Sequence, residues 1–235
     1  MILKKLFIFC SIFAFISCAE LQQVVNTLPS QTGTNPAMIA SGLKQALNFG
    51  IDKQVSKLTK ENGFYSNQLV KIMLPAELRK VDQTLRDIGL GRLADEGIKA
   101  LNRAAEDAVK EATPIFVDAV QQITFTDAKN ILLGPDNAAT NYLKQRTNTA
   151  LYSKFNPVIK NSFSKVGADQ IWTNIITRYN AVPFVTKVNP DLTDYVTNEA
   201  LDGVYKMISI EEKEIRNNVA ARTTNLLKRV FALQD

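Results

Sequence analysis

GRLADEGIKALNRAAEDAVKE occupies residues 91–111 and carries the clearest structural signal in the chain. Apolar residues recur in it every three or four positions, which is the spacing of one face of an α-helix. They are Leu93, Ile98, Leu101, Ala104, Ala105 and Ala108. Because alanine is small, such a face allows neighbouring helices to approach closely. We predict a long helix in close contact with its neighbours, with little room for a wide cleft beside it.

The same spacing continues on both sides of this helix. Upstream, Asn35 and Pro36 are typical of a helix start, Asn62-Gly63 ends that helix, and Pro75 opens a second one that Gly89 closes. Downstream, the predicted elements are a helix from Thr113-Pro114, a short helix capped by Thr126-Asp127, a helix over 136–166, another over 168–179, and further helices in the last third. Pro157 should kink or break the helix over 136–166.

These patterns predict an all-α fold, a single irregular multi-helix bundle of about eight helices. Val70-Lys71-Ile72 is compatible with a short strand, so we allow at most a short strand pair near 70–74. The chain shows no internal repeat of fixed period and no long alternation of polar and apolar residues.

The first 17 residues have the three parts of a bacterial export signal: a basic head, an apolar run over 6–16, and the small residue Ser17. Cys18 follows, as in lipoprotein signal peptides, where this cysteine becomes the first residue and carries the lipid. The apolar run is too short for a membrane-spanning helix, which needs about 17–25 residues. An ordinary secreted protein is the alternative.

This reading divides the chain into a signal peptide (1–17), a flexible lipid-anchored tether (18–35) and a single helical domain (36–235). The expected location is the bacterial cell envelope, with the lipid on Cys18 as the contact to the membrane. Ala19 follows the cysteine where an aspartate would retain an enterobacterial lipoprotein in the inner membrane. We therefore expect the outer membrane, on its periplasmic side.

Composition excludes several kinds of site. The chain has no histidine and two cysteines, Cys10 inside the signal and Cys18 at its end. Catalytic pairs built on histidine, histidine metal sites and disulfides in the mature chain are therefore excluded, and we expect no cofactor.

The net charge of +5 falls to about +3 when Lys4 and Lys5 leave with the signal. Since basic and acidic residues are interspersed, we expect no nucleic-acid partner.

Two short motifs carry weak catalytic or metal-binding signals. Ser41–Lys44 and Ser162–Lys165 match S-x-x-K, the signature of serine acylases, without the companion motifs of those enzymes. The acidic run Glu211–Glu214 does not follow the spacing of a calcium loop. Coincidence explains the S-x-x-K matches, and a solvated helix face explains the acidic run.

A set of polar residues lies beside apolar and small ones. Asn102, Arg103 and Glu106 sit next to the alanine face, and similar settings hold Asp118, Asp202, Arg222 and Thr223. Such groups often form a buried, mutually satisfied network between helices. We interpret them as structural, with a pocket lining as the alternative.

Several blocks that contain these residues resemble a bacterial family, domain of unknown function 4197. They are Gly63–Tyr65, Leu101–Glu106, Pro114–Ala119, Ala138–Tyr142, Tyr195–Thr197, Ala200–Gly203 and Ala221–Thr224. The resemblance runs from about Leu43 to Phe231. It implies an envelope lipoprotein with one domain, and it implies no activity, substrate or catalytic residue.

We therefore expect a lipid-anchored helical binding or scaffold module whose partner is an unknown envelope protein. The alternative is a carrier that holds a lipid or another apolar ligand between its helices. A third hypothesis is a hydrolase that uses the carboxylates of Asp118, Glu106 or Asp202, which requires two carboxylates in one cleft. An enzyme is the less favoured class, because histidine and a free thiol are missing from the mature chain.

Overall fold

α-Helices and short 3₁₀ turns are the only regular elements in the residues that this computed structural model describes, 35–87, 89, 91–165, 168–181, 183–184, 187–189 and 191–234. The helices are α1 (Pro36–Leu58), α2 (Arg79–Asp87), α3 (Gly91–Val109), α4 (Ala112–Gln121), α5 (Phe125–Leu132), α6 (Ala138–Lys165), α7 (Ala168–Asn180), α8 (Thr193–Asn217) and α9 (Asn225–Phe231). Single 3₁₀ turns lie at Ala76–Leu78 and Val219–Ala221. The prediction of an all-α bundle is confirmed.

The helix quoted first, α3, packs against α2, α6 and α8, and α6 packs against both α3 and α8. The helix α1 covers another side of α8 and contacts α4, α5 and α9. One continuous apolar core runs through all these contacts. The alanine face of α3 belongs to this core, because Ala104, Ala105 and Ala108 are each 1% exposed or less. The predicted close helix contact is therefore present on this face.

The segment over 70–74 follows a turn that includes Val70, and it forms no strand in the described part of the chain. Val70, Ile72 and Leu74 are buried, whereas Met73 is exposed, so the alternation of a strand is present. Its partner is a side chain, because the Ile72 N–H donates to Asn102 Oδ1 at 2.8 Å and its carbonyl accepts from Asn102 Nδ2 at 2.8 Å. The strand pair that the sequence allowed is thus replaced by one asparagine.

One predicted helix cap is wrong, and the break that was one of two alternatives at Pro157 is absent. The short helix α5 is capped by Thr124, two residues before the predicted cap, since Thr124 and Asp127 form a reciprocal capping box. The helix α6 passes through Pro157 without breaking. An interior proline costs about 3 kcal/mol, and the fully buried side chains of Leu151, Phe155 and Ile159 on either side of it offset that cost.

The helix α7 reaches α3 through one close contact. A Cβ atom at Gly97 would lie 2.4 Å from Cζ2 of Trp172, the only tryptophan in the chain. Only glycine at position 97 leaves room for the indole ring, which is 3% exposed.

Candidate functional site

A surface cleft of about 380 Å³ lies between α3, the end of α6 and the turn that follows α1. We call it the Arg103 cleft. Its floor contains Ala100 and Ala104, and Ser162 and Glu106 also line it. Its charged groups are Glu61, Glu96, Lys99, Arg103, Asp107 and Lys165. The expectation of little room beside α3 is therefore wrong for this face, although it holds for the buried alanine face.

The α-helical repeat explains why α3 supplies so many of these groups. Glu96, Lys99, Arg103 and Asp107 are spaced by three, four and four residues, so they form one row along the helix. At 1.5 Å per residue the row is roughly 16 Å long. The cleft is therefore elongated along α3.

Arg103 and Glu106 form an ion pair in the cleft wall. The Glu106 side chain is 3% exposed, and it accepts a hydrogen bond from Arg103 Nη1 at 3.0 Å and another from the Phe64 N–H at 3.2 Å. The hydrogen bond to Glu106 raises the pKa of Arg103 above its ordinary value. Glu106 thus ties the turn after α1 to α3 and holds one edge of the guanidinium group of Arg103.

Asp107 lies one helical turn after Arg103 and joins α3 to α6. It accepts hydrogen bonds from Lys110 Nζ at 2.8 Å and from Ser162 Oγ at 3.2 Å. Partial burial acts to raise the pKa of Asp107, but the hydrogen bonds from Lys110 and Ser162 outweigh it and lower this pKa below the ordinary value. Asp107 therefore stays ionised at neutral pH and is unsuited to donate a proton.

The second S-x-x-K motif lies at this cleft, since both Ser162 and Lys165 line it. The Ser162 hydroxyl donates its hydrogen bond to Asp107. A serine nucleophile needs its base within hydrogen-bond reach, and the ordered partner here is a carboxylate of lowered pKa. The hydrogen bond from Ser162 to Asp107 is therefore a contact between the helices α6 and α3.

The structure brings together three of the seven polar residues singled out in the sequence. Arg103 and Glu106 line the cleft, and Asn102 is fully buried beneath it, where it holds Ile72 and also donates to the Ile98 carbonyl at 2.8 Å. Asn102 and Glu106 are buried and hydrogen-bonded, but their partners outside α3 are the backbone of Ile72 and of Phe64, neither of which belongs to a helix. Arg103 lines the cleft, so the alternative interpretation of these residues as a pocket lining describes Arg103.

The other four residues lie elsewhere in the body. Asp118 is exposed on α4, and Asp202 on α8 forms an exposed ion pair with Lys144 at 3.0 Å. Arg222 is 2% exposed and donates to the carbonyls of Ile215 and Arg216 at the end of α8, while Thr223 is exposed. Of the three carboxylates considered for hydrolysis, Glu106 is the one that lines the Arg103 cleft.

The interpretation of Glu211–Glu214 as a solvated face is wrong for its first two residues. Glu212 is 8% exposed, and Arg216 Nη2 lies 2.8 Å from its Oε1. Glu211 is 5% exposed and accepts from Gln54 Nε2 at 2.6 Å. The i, i+4 spacing of Glu212 and Arg216 was the available signal, but in a run of four charges it does not show which side faces inward.

Lys99, Asp107 and Glu61 line the cleft and were not singled out in the sequence, and Lys165 was named there only as the end of the second S-x-x-K motif. The signal for Lys99 and Asp107 was their regular spacing with Arg103 along α3. Lys165 and Glu61 come from other elements, so only the tertiary structure places them there.

Cys18 lies outside the described residues, and among those described no cluster of three or more acidic or cysteine side chains could hold a metal ion.

The family comparison covers almost the whole body. The family model described as a protein of unknown function, DUF4197, matches residues 33–232, which include every helix from α1 to α9. No curated protein and no solved structure matches the chain. The resemblance noted in the sequence is confirmed, and the chain belongs to the DUF4197 family.

Proposed function

We propose that this member of the DUF4197 family is a binding module of the bacterial envelope, held to a membrane by a lipid on Cys18, and that it engages a protein partner through the Arg103 cleft. The observation that carries the proposal is the cleft itself. Its volume of about 380 Å³ is within the range of roughly 300–1,000 Å³ that is usual for binding pockets. The charged groups on its walls supply the few directed polar contacts that give such pockets their specificity.

The hydrogen bonds of the carboxylates in the Arg103 cleft favour binding over hydrolysis. Glu106 and Asp107 line the cleft, but both are committed to hydrogen bonds with neighbouring groups of the protein. A glycosidase-like reaction needs one carboxylic acid of raised pKa, and the pKa of Asp107 is lowered. Asp118 and Asp202 do not line the cleft. We therefore propose no reaction.

The carrier alternative has little physical support in the apolar core. The cavity between α1 and α8, lined by Leu43, Leu47 and Ile208 among others, measures about 20 Å³. That is room for about one water molecule, whereas an acyl chain would need a continuous tunnel. The core residues of α1, α3, α6 and α8 fill the space that such a ligand would occupy.

The anchor and the envelope location rest on the sequence of residues 1–18, which lie outside the described residues. Within the described part, no helix is both long enough and apolar enough to cross a membrane. Residues 18–35 are the flexible tether expected from the sequence.

The experiment is photocrosslinking in intact cells from single positions of the full-length chain. A photoreactive residue at position 100, on the floor of the cleft, should form a discrete crosslink to one envelope protein. The matched control is position 213, which is exposed on α8 and does not line the cleft. A crosslink of the same size and yield from both positions would contradict the proposal, and so would none from position 100.

A further inference from the structure

The shape of the Arg103 cleft restricts the kind of ligand that fits. The row of charged groups on α3 is roughly 16 Å long at 1.5 Å per residue. An extended peptide advances about 3.3 Å per residue, so about five residues span this length. Floor residues Ala100 and Ala104 are small, which lets a backbone approach α3 closely.

The charges that remain available to a ligand are of both signs. Glu106 and Asp107 are compensated inside the protein by Arg103 and Lys110, at 3.0 and 2.8 Å. Glu61 and Glu96 have only long contacts, 3.7 Å to Arg103 and 3.6 Å to Arg92. Among the described residues, Lys99 and Lys165 form no ion pair.

Two ammonium groups and two carboxylates therefore face a ligand in one elongated cleft. A ligand of a single charge sign would be attracted by one pair and repelled by the other, and like-charge contacts are an effective source of specificity. A chain segment with one acidic and one basic side chain satisfies both pairs. A simple anion, such as a phosphate group, adds no closer contact to Glu61 and Glu96 than their long ones to Arg103 and Arg92.

We propose that the Arg103 cleft binds an extended segment of about five residues from a partner protein, with an acidic side chain at Lys99 and Lys165 and a basic side chain at Glu61. This inference rests on the proposed function and names the chemistry of its partner. Because the recognised segment lies within a protein chain, recognition does not depend on a free amino or carboxyl terminus.

The test uses blocked pentapeptides and the full-length chain in detergent, measured by calorimetric titration at low salt. The probes are N-acetylated and C-amidated Gly-Asp-Gly-Lys-Gly and its reverse, Gly-Lys-Gly-Asp-Gly, since the direction of the bound chain is open. At least one should bind, and the versions with Asn for Asp or Gln for Lys should each bind about fivefold more weakly, the effect of one exposed ion pair.

The double variant Lys99→Glu/Lys165→Glu should weaken binding of the acidic–basic peptide by at least about tenfold, since it replaces two attractions by repulsions. Lys213→Glu is the matched control and should leave the affinity unchanged. All three positions are exposed, and an unchanged thermal midpoint shows that the variants fold. Equal affinity for charged and uncharged peptides, equal affinity in the double variant, or binding only of peptides with free termini would overturn the inference.

The two proposals fail in different ways. If position 100 crosslinks to a partner in cells while no pentapeptide binds, the peptide inference is wrong and the binding function stands. If neither occurs, both are wrong.

Discussion

Glu212 and Arg216 illustrate how single charged residues hold this bundle together. Glu212 accepts hydrogen bonds from the backbone N–H groups of Ala139 and Thr140, at 2.9 and 2.8 Å, at the start of α6. Arg216 donates to the carbonyls of Leu132 and Ile131, at 3.0 and 2.8 Å, at the end of α5. A negative charge at a helix start and a positive charge at a helix end both complement the helix dipole. The pair therefore closes the α5–α6 connection onto α8.

Replacement of Glu212 by alanine should lower the free energy of unfolding by about 3–5 kcal/mol, because it leaves the buried Arg216 without its counter-charge. Urea denaturation measures the change. Glu214→Ala is the matched control, since Glu214 is exposed on the same helix, and it should change stability by less than about 0.5 kcal/mol. Equal losses in the two variants would show that the burial of the pair adds nothing.

The contact of Gly97 with Trp172 gives a second prediction for a single residue. Gly97→Ala places a Cβ atom 2.4 Å from the indole ring, and such overpacking costs about 1–3 kcal/mol. The gain in helix propensity from glycine to alanine is at most about 1 kcal/mol. We expect a lower thermal midpoint together with a red shift of the tryptophan fluorescence, which reports Trp172 alone.

Gly91→Ala serves as the control for this substitution. The nearest atom to a Cβ there is Cγ of Arg86 at 3.3 Å, on an exposed and flexible side chain. Its fluorescence should match that of the unaltered protein. If Gly97→Ala has the same midpoint and the same emission as Gly91→Ala, the close packing of α7 on α3 is disproved.

At the scale of the elements, the capping box of α5 predicts a dependence of stability on pH. Hydrogen bonds from the backbone N–H and the hydroxyl of Thr124 lower the pKa of Asp127 below its ordinary value. A carboxyl group with a lowered pKa in the folded state stabilises the fold above its unfolded pKa of about 3.9. That contribution is lost as the pH falls through the lowered folded value.

The thermal midpoint of Asp127→Asn should therefore lie below that of the unaltered protein at neutral pH, and the two midpoints should converge below about pH 4. Differential scanning fluorimetry from pH 7 to pH 2 measures both midpoints. Thr124→Ala, which removes the other half of the box, should cost about 1 kcal/mol at neutral pH. A difference in midpoint for Asp127→Asn that stays constant down to pH 2 would show that the Asp127 charge does not support the cap.

The sequence predicts the elements better than it predicts their partners. Helical spacing and cap residues locate the start of α1 and both ends of α3 and α7 to within about two residues, because the apolar face and the first-turn proline are local signals. The end of α1 is less well predicted, since the helix ends at Leu58 and not at Asn62-Gly63. The strand near 70–74 fails, since alternation of Val70, Ile72 and Leu74 is typical of a strand but cannot show that Asn102 satisfies its backbone. The continuity of α6 through Pro157 depends on tertiary packing that no local signal records.

Part of the Arg103 cleft was predictable, because the spacing of residues along α3 is visible in the sequence. Arg103 and Glu106 were singled out as neighbours on α3, and the regular row of charges that includes Lys99 and Asp107 was present in the sequence. Lys165 and Glu61 reach the cleft from the end of α6 and from the turn after α1. Contacts between residues more than 40 positions apart depend on the packing of helices, which the pattern of one helix does not determine.

At the scale of the whole molecule, the proposed lipid anchor on Cys18 gives a prediction that does not depend on the Arg103 cleft. Cys18→Ala should abolish labelling by a radioactive fatty acid and should leave the protein soluble or with its signal uncleaved. Membrane fractionation and the mass of the mature chain measure both. A variant that stays in the membrane fraction and is cleaved before position 18 would contradict the lipid anchor.

The most direct measurement of binding at the cleft is lysine footprinting of the unaltered protein, in intact cells and after purification. An amine-reactive reagent is applied in both states, and peptide mass spectrometry gives the labelling of each lysine. The account predicts that Lys99 and Lys165 are protected in cells relative to the purified chain, while Lys213 is labelled equally in both. Equal labelling of Lys99 and Lys165 in the two states would contradict the claim that a partner occupies the Arg103 cleft.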